Sequence, residues 1–269
     1  MRKTFIVFVI IAGLFACQQT FVDKKESRDS NKHLVMATLW YQRASECRAL
    51  YYQAFNIARL SLDKQLATGC NNSKPKAVVV DIDETILDNS PFETNMIRSG
   101  KTFSSAAWKE WTDMSKARAT PGSLAFLKYA ESKGVEIFYI SNRDTSATRK
   151  TLENLKVFGF PFADKDHMLL RTNTGVKTKR RNKVKETHEI LILIGDNIGD
   201  FDEILEDRSK NYGFALVDSM KQEFGKRFIV LPNPMYGSWE GQVLKSDRSL
   251  SIDEKEQIRI QCLIGYEEI

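Results

Sequence analysis

The sequence is poor in histidine, cysteine and proline, with three, four and six of them in 269 residues. His33, His167 and His188 are too few for a histidine-based metal cluster. Cys17, Cys47, Cys70 and Cys262 show no Cys/His spacing of the zinc-binding kind. With Cys17 set aside, three cysteines cannot all pair within one chain, and a single disulfide among Cys47, Cys70 and Cys262 stays open. No internal repeat or low-complexity tract is present. Charge of one sign is also scarce. The formal net charge is +5, and two of those charges are Arg2 and Lys3 at the extreme N-terminus. So mild a balance suits small anionic ligands and gives little support for a nucleic-acid polymer as partner. What is present is 42% apolar and 28% charged residues. That composition supports a real core in a soluble body, and the length fits one α/β domain with a small addition.

The N-terminus has the layout of a secretory signal over residues 1–16. Arg2 and Lys3 precede an apolar run from Phe5 to Phe15, which is too short to span a bilayer comfortably. Leu14-Phe15-Ala16-Cys17 follows and resembles a bacterial lipobox, although Phe15 stands where a small residue is usual. Lipidation of Cys17 would anchor the chain at the bacterial cell envelope, with the outer membrane as the expected site. An ordinary signal peptide or an uncleaved anchor helix is the alternative. Residues 17–30 are polar and read as a tether, and residues 31–269 as the folded body. His33 to about Ala67 carries apolar residues at helical spacing, ending at Gly69 and Asn71-Asn72-Ser73. Short apolar runs then alternate with helical stretches. Strands are expected at Lys76–Val80, Val135–Ile140, His167–Leu170, Ile190–Ile194 and Arg227–Leu231, with helices at Gly122–Lys133 and near Thr145–Phe158. That order implies an α/β fold with a parallel sheet flanked by helices. Residues 89–121 are too long for a simple loop and read as an inserted helical cap, aided by the helix 33–67. The tail after Lys245 is charged and helical near its end.

Ligands of such sheets bind at the carboxyl ends of the strands. The first strand here ends in Asp81-Ile82-Asp83-Glu84-Thr85, the second in Ser141-Asn142-Arg143, and the fourth in Gly195-Asp196-Asn197 with Asp200 close behind. Lys177 lies between them in a basic stretch, Lys177-Thr178-Lys179-Arg180-Arg181. Each piece alone is an ordinary turn or a solvated face. Together, on three strand ends, they describe a phosphate site. Asp81 and Asp196 would repel each other without a hard cation such as Mg²⁺. One carboxylate can attack phosphorus and another can move the leaving-group proton. Lys177 and the groups around Ser141 would neutralise the phosphoryl oxygens.

These residues match the signature of the haloacid dehalogenase (HAD) superfamily. The chain further resembles the class C acid phosphatases, also called the lipoprotein e or 5′-nucleotidase lipoprotein family. The resemblance rests on Leu39-Trp40-Tyr41-Gln42 through Asn56, Asp81 through Ser90, Ile140 through Arg143, Gly195 through Phe201, and Phe224-Gly225-Lys226 through Gly241. It implies a Rossmann-like HAD sheet with a cap and Mg²⁺-dependent hydrolysis of phosphomonoesters. Nucleoside 5′-monophosphates and nicotinamide mononucleotide are the substrates it suggests. In roles, it implies Asp81 as nucleophile and Asp83 as general acid/base. Mg²⁺ would be held by Asp81, the carbonyl of Asp83 and Asp196, and through water by Asp200. Phosphate would be bound by Ser141, Asn142 and Lys177. Lys179 competes for the lysine role, but Lys177 places Arg180 three residues on, as the family has it. Trp108 and Tyr236 match aromatic positions that sandwich a flat ring, whereas Trp111 reads as core. The second aspartate, Asp83, favours rapid hydrolysis over a lasting phosphoenzyme, and dehalogenation is disfavoured. A surface lipoprotein acting as a binding protein or adhesin, a HAD phosphatase for a non-nucleotide metabolite, and a homodimer all stay open.

Overall fold

The computed structural model describes residues 31–68, 73–247 and 249–268. The expected signal segment 1–16 and tether 17–30, with Cys17, and Cys70 lie outside the described residues. At the centre is Lys76–Val80 (β1), a β-branched run whose last four residues are buried. Glu136–Asp144 (β4) pairs parallel on one side of it and Glu189–Gly195 (β6) on the other. Met168–Arg171 (β5) extends the sheet beyond β4 and Phe228–Val230 (β7) beyond β6, giving the order β5-β4-β1-β6-β7, all parallel. Alternation along β1 splits the core in two. Val78 and Val80 face one apolar cluster, and Ala77 and Val79 the other. A strand covered on both faces must be apolar throughout, which is why β1 has no polar/apolar alternation.

The expected helix 33–67 is two helices, Leu34–Arg43 (α1) and Ser45–Ala67 (α2). The break is Ala44, which is extended at φ −74°, ψ 127°. Nothing in its residue type announces a break, so apolar spacing runs through it unchanged. On α2, Tyr51, Ala54, Phe55, Ala58 and Leu62 are buried, three to four residues apart, as one apolar stripe demands. The stripe packs on Ser123–Ser132 (α5), where the Phe55 and Phe126 rings sit 5.9 Å apart. Full burial of Leu62 contributes about 1.5–3 kcal/mol. The expected helix from Thr145 opens as a 3₁₀ turn, Thr145–Ala147, before Thr148–Phe158 (α6). The basic stretch after Lys177 is itself a helix, Thr178–Thr187 (α7). It buries only Arg181 and Val184, so it carries no apolar period to read.

The segment between β1 and α5 begins and ends on a short antiparallel ribbon, Leu87–Asp88 (β2) with Arg118–Ala119 (β3). Pairing Leu87 with Ala119 and Asp88 with Arg118 joins the ends of an excursion that holds Ser90–Ser99 (α3) and Ser105–Asp113 (α4). Ser104 caps α4 by accepting from the Ala107 N–H at 3.2 Å. Helix α1 leans on α3, tied by Gln42 donating to Ser90 at 3.0 Å. After β7 come Ser238–Val243 and Ile252–Gln261. Among the described residues no helix is long and apolar enough to cross a membrane, and Cys47, which is buried, and Cys262, which is exposed, are free thiols.

Candidate active site

The three central strands end side by side, and each end turns its polar residues toward one place. At the end of β1, Asp81 continues the sheet by donating its N–H to Ile194 at 2.9 Å. The chain then folds back sharply. Glu84 takes a left-handed φ of 53° and donates its N–H to Leu87 at 2.9 Å. At the end of β6, Gly195 permits a close approach that no side chain would: a β-carbon there would lie 2.6 Å from that of Asp200. The turn after it is held by a reciprocal cap, in which Asn197 accepts from Gly199 and Asp200 accepts from the Asn197 N–H at 3.0 Å.

Carboxylate oxygens of Asp81, Asp196 and Asp200 consequently lie within 4.8 Å of one another. Lys177, just before α7, is buried and reaches into them. It pairs with Asp81, and with Asp200 at 2.6 Å. Thr85 donates toward both Asp81 and Asp196, at 3.4 and 3.3 Å, and Asn233 donates to Asp196 at 2.8 Å. Burial pushes the Asp81 carboxyl up to about 7 against the pull of Lys177, with Asp200 and Asp83 adding repulsion. Burial, then Asp81 and Asp200, raises Asp196 in the same way. Burial pulls the Lys177 ammonium down, but Asp200 and Asp81 more than offset it and hold it above the ordinary lysine value. Three hard oxygen donors so close, two of them kept from ionising freely, fit a hard divalent cation and not a soft metal.

The HAD superfamily, subfamily IIIB (acid phosphatase), matches residues 19–239 of the sequence. The chain belongs to this family. Its fold is similar to that of the class C acid phosphatase from Bacillus anthracis, with a TM-score of 0.83 and 44% identity over 88% of this chain and 99% of that one. A structure of the Bacillus protein with tungstate bound matches equally well, at 43% identity. Acid phosphatase 1 from Solanum lycopersicum is 28% identical over 59% of this chain, and a stem 31 kDa glycoprotein from Glycine max 27% over 58%. The chain spans little more than half of those relatives, 57% of each.

Within this acid phosphatase family fold, Asp83 stands apart from the three clustered carboxylates. Arg143, 2% exposed, grips it with Nε at 2.9 Å and a second nitrogen at 2.8 Å. Asn89 donates to it at 2.8 Å and the Ser141 hydroxyl at 3.3 Å. Ser141 is buried beside Asp83, while Asn142 is exposed at the cavity edge and accepts from Arg180 at 2.7 Å. Lys179, the competing lysine, is exposed on α7, so Lys177 is the one in the cluster.

Above the carboxylates opens a cavity of about 1110 Å³, lined by Asp81, Asp83, Lys177, Asp196, Trp108 and Tyr236 among others. Trp108 packs edge-on to Phe92 at 5.1 Å, and the Arg143 guanidinium lies 5.8 Å from its ring. Trp111 is partly buried against the core and donates its indole N–H to Asn89 at 2.8 Å. Arg143, Asn89, Glu84, Thr85 and Asn233 were given no role from the sequence. Arg143 and Glu84 carried a signal all the same, being charged residues within two positions of assigned ones at strand ends.

Proposed function

We propose that the protein is a phosphomonoesterase working through a phosphorylated aspartate. The observation that carries this is the convergence of Asp81, Asp196 and Asp200, two of them paired with Lys177, at the floor of a cavity far larger than phosphate needs. Family membership and the tungstate-bound Bacillus relative support an oxyanion in such a cleft. Asp81 attacks phosphorus, an Asp81–phosphorus bond forms, and the bond to the ester oxygen breaks. Asp83 supplies a proton to the departing alkoxide. It then takes one from the water that attacks the phospho-aspartate, releasing phosphate and restoring Asp81. Arg143 and Asn89 hold the Asp83 carboxylate for both transfers. Lys177 and Ser141 bind the phosphoryl oxygens, with Asn142 at the rim. Mg²⁺ would be held by Asp81, Asp196, the Asp83 carbonyl and, through water, Asp200, and when bound it would supply neutralising charge to the phosphoryl group.

For the substrate, we favour phosphate esters of flat leaving groups, namely nucleoside 5′-monophosphates or nicotinamide mononucleotide. Trp108 and Tyr236 are half-buried rings on the same cavity, and packing against them favours planar groups. Phosphate release from these esters and from glycerol phosphate, with and without Mg²⁺ and in Asp81→Asn, tests both parts. An active Asp81→Asn protein removes the mechanism. A panel that favours glycerol phosphate removes the substrate class. Anchoring through a lipid on Cys17 is a further part of the proposal. Membrane-bound protein that becomes soluble in Cys17→Ala supports it, and unchanged partitioning refutes it.

A further inference from the structure

Glu84 directly follows Asp83, is fully buried, and occupies the left-handed turn described above. One of its carboxylate oxygens accepts the Asn89 N–H at 2.7 Å, and the other accepts the hydroxyl of Tyr236. Its carbonyl accepts the hydroxyl of Tyr51, which lies 2.6 Å from that of Tyr41. The start of α3 and the loop after β7 therefore meet at its side chain, while α2 meets its backbone carbonyl and α1 reaches it through Tyr51. A buried carboxyl group in such a place is tolerated only while its oxygens have hydrogen-bond partners. The constraint is reciprocal. The Tyr236 ring lines the cavity while its hydroxyl is tied behind the wall, so the ring cannot swing away from the wall about χ1 without breaking that bond.

We propose that Glu84 is the positioning residue for Tyr236: it holds the ring in place on the cavity wall and thereby sets the preference for flat over aliphatic phosphate esters. This rests on the phosphatase and ring-packing reading above. A ring already held in place needs no ordering when a ligand packs on it, which is where the selectivity originates. Glu84 also has a second arm. It accepts the N–H of Asn89, whose side chain donates to Asp83 and accepts the Trp111 N–H. Loss transmitted through Asn89 lowers kcat for every ester, whereas loss transmitted through Tyr236 raises KM for flat ones alone.

The test is kcat and KM of the full chain for a nucleoside monophosphate and for glycerol phosphate, in Tyr236→Phe, Glu84→Gln, Glu84→Ala and Trp108→Ala. Tyr236→Phe keeps the ring and removes only its tie. It should lower the flat-to-aliphatic ratio of kcat/KM by roughly fivefold to tenfold, the worth of one hydrogen bond, through KM. Glu84→Gln can accept from Asn89 and donate to Tyr236, and should keep more of the ratio than Glu84→Ala. Should Glu84→Ala not fold, the other three variants decide. If Tyr236→Phe keeps the wild-type preference while Trp108→Ala loses it, ring packing stands and the role of Glu84 is overturned. If neither variant changes the preference, ring packing itself falls and this inference with it. Equal losses of kcat for both esters in Tyr236→Phe also overturn it.

Discussion

A divalent cation should stabilise this fold more at neutral than at acid pH, by an amount the site's electrostatics set. The Asp81 carboxyl, pushed up to about 7, must lose its proton before it can ligate. Between pH 7 and pH 5 that one proton weakens binding about 50-fold, taking a single group of that pKa. Suppose Mg²⁺ is present at about 100 times its dissociation constant at pH 7. The folded state then gains about 2.7 kcal/mol. At pH 5 the same concentration is only about twice the weakened constant, and the gain falls to about 0.6 kcal/mol. For a domain of this size each kcal/mol moves the midpoint by about 2–4 °C. The shift on adding Mg²⁺ should be about 5–11 °C at pH 7 and about 1–3 °C at pH 5. Asp196, raised in the same direction, steepens the contrast. Thermal unfolding followed by circular dichroism, with Mg²⁺ or with chelator at both pH values, measures it. A shift as large at pH 5 as at pH 7 would refute the claim that these carboxylates hold the ion.

Three further outcomes follow from the geometry. Arg143→Ala should cut kcat by about 10²-fold with a smaller change in KM, because a misplaced Asp83 cannot transfer its proton in line. Arg143→Lys should recover little, since lysine lacks the two-nitrogen fork, and steady-state kinetics on both variants decide this. At the opposite end of the sheet His167 bridges Asp164 at 2.8 Å and Glu136 at 3.1 Å. These partners, outweighing burial, raise its pKa above 6.5, while the histidine contacts, again outweighing burial, lower those of Glu136 and Asp164 from 4.5 and 3.8. The histidine's contribution is complete below about pH 6.5 and lost as pH rises through its folded value, and the carboxylates' is lost as pH falls below about 4. The stability difference between wild type and His167→Gln in urea should accordingly peak between about pH 4.5 and 6.5, and a difference that grows toward pH 8 contradicts the assignment. Leu62→Ala should cost about 2–5 kcal/mol by denaturant titration at unchanged m, since Leu62 is fully enclosed between α2 and the sheet.

The parallel sheet was legible because β1, β4 and β6 are buried on both faces and must be written in apolar, largely β-branched residues. Asp81 and Asp196 stood out in the sequence because charged groups at the ends of such runs have few structural uses, whereas Lys177, in a basic stretch, stood out only beside them and by the spacing to Arg180. Helix α7 escaped notice for the opposite reason: it covers the sheet through Arg181 and Val184 alone and offers no period. The break at Ala44 has no glycine or proline to mark it, and α1 before it is tied to α3 through Gln42 and Ser90, a contact no local preference announces. Arg143 and Glu84 act through partners 60 and 152 positions away, Asp83 and Tyr236. No spacing rule relates residues that only the folded sheet brings together. The ribbon of β2 and β3 is two residues per strand, too short for alternation to register.

The proposed mechanism requires Asp81 to carry the phosphoryl group. Mixing the protein with a phosphomonoester, quenching in acid within the turnover time and mapping the peptides by mass spectrometry locates that group directly. A phosphoryl adduct on the Asp81 peptide, absent in Asp81→Asn and enriched when Asp83→Asn slows its hydrolysis, is the predicted result. An adduct on another residue, or turnover with no adduct in either protein, would contradict it.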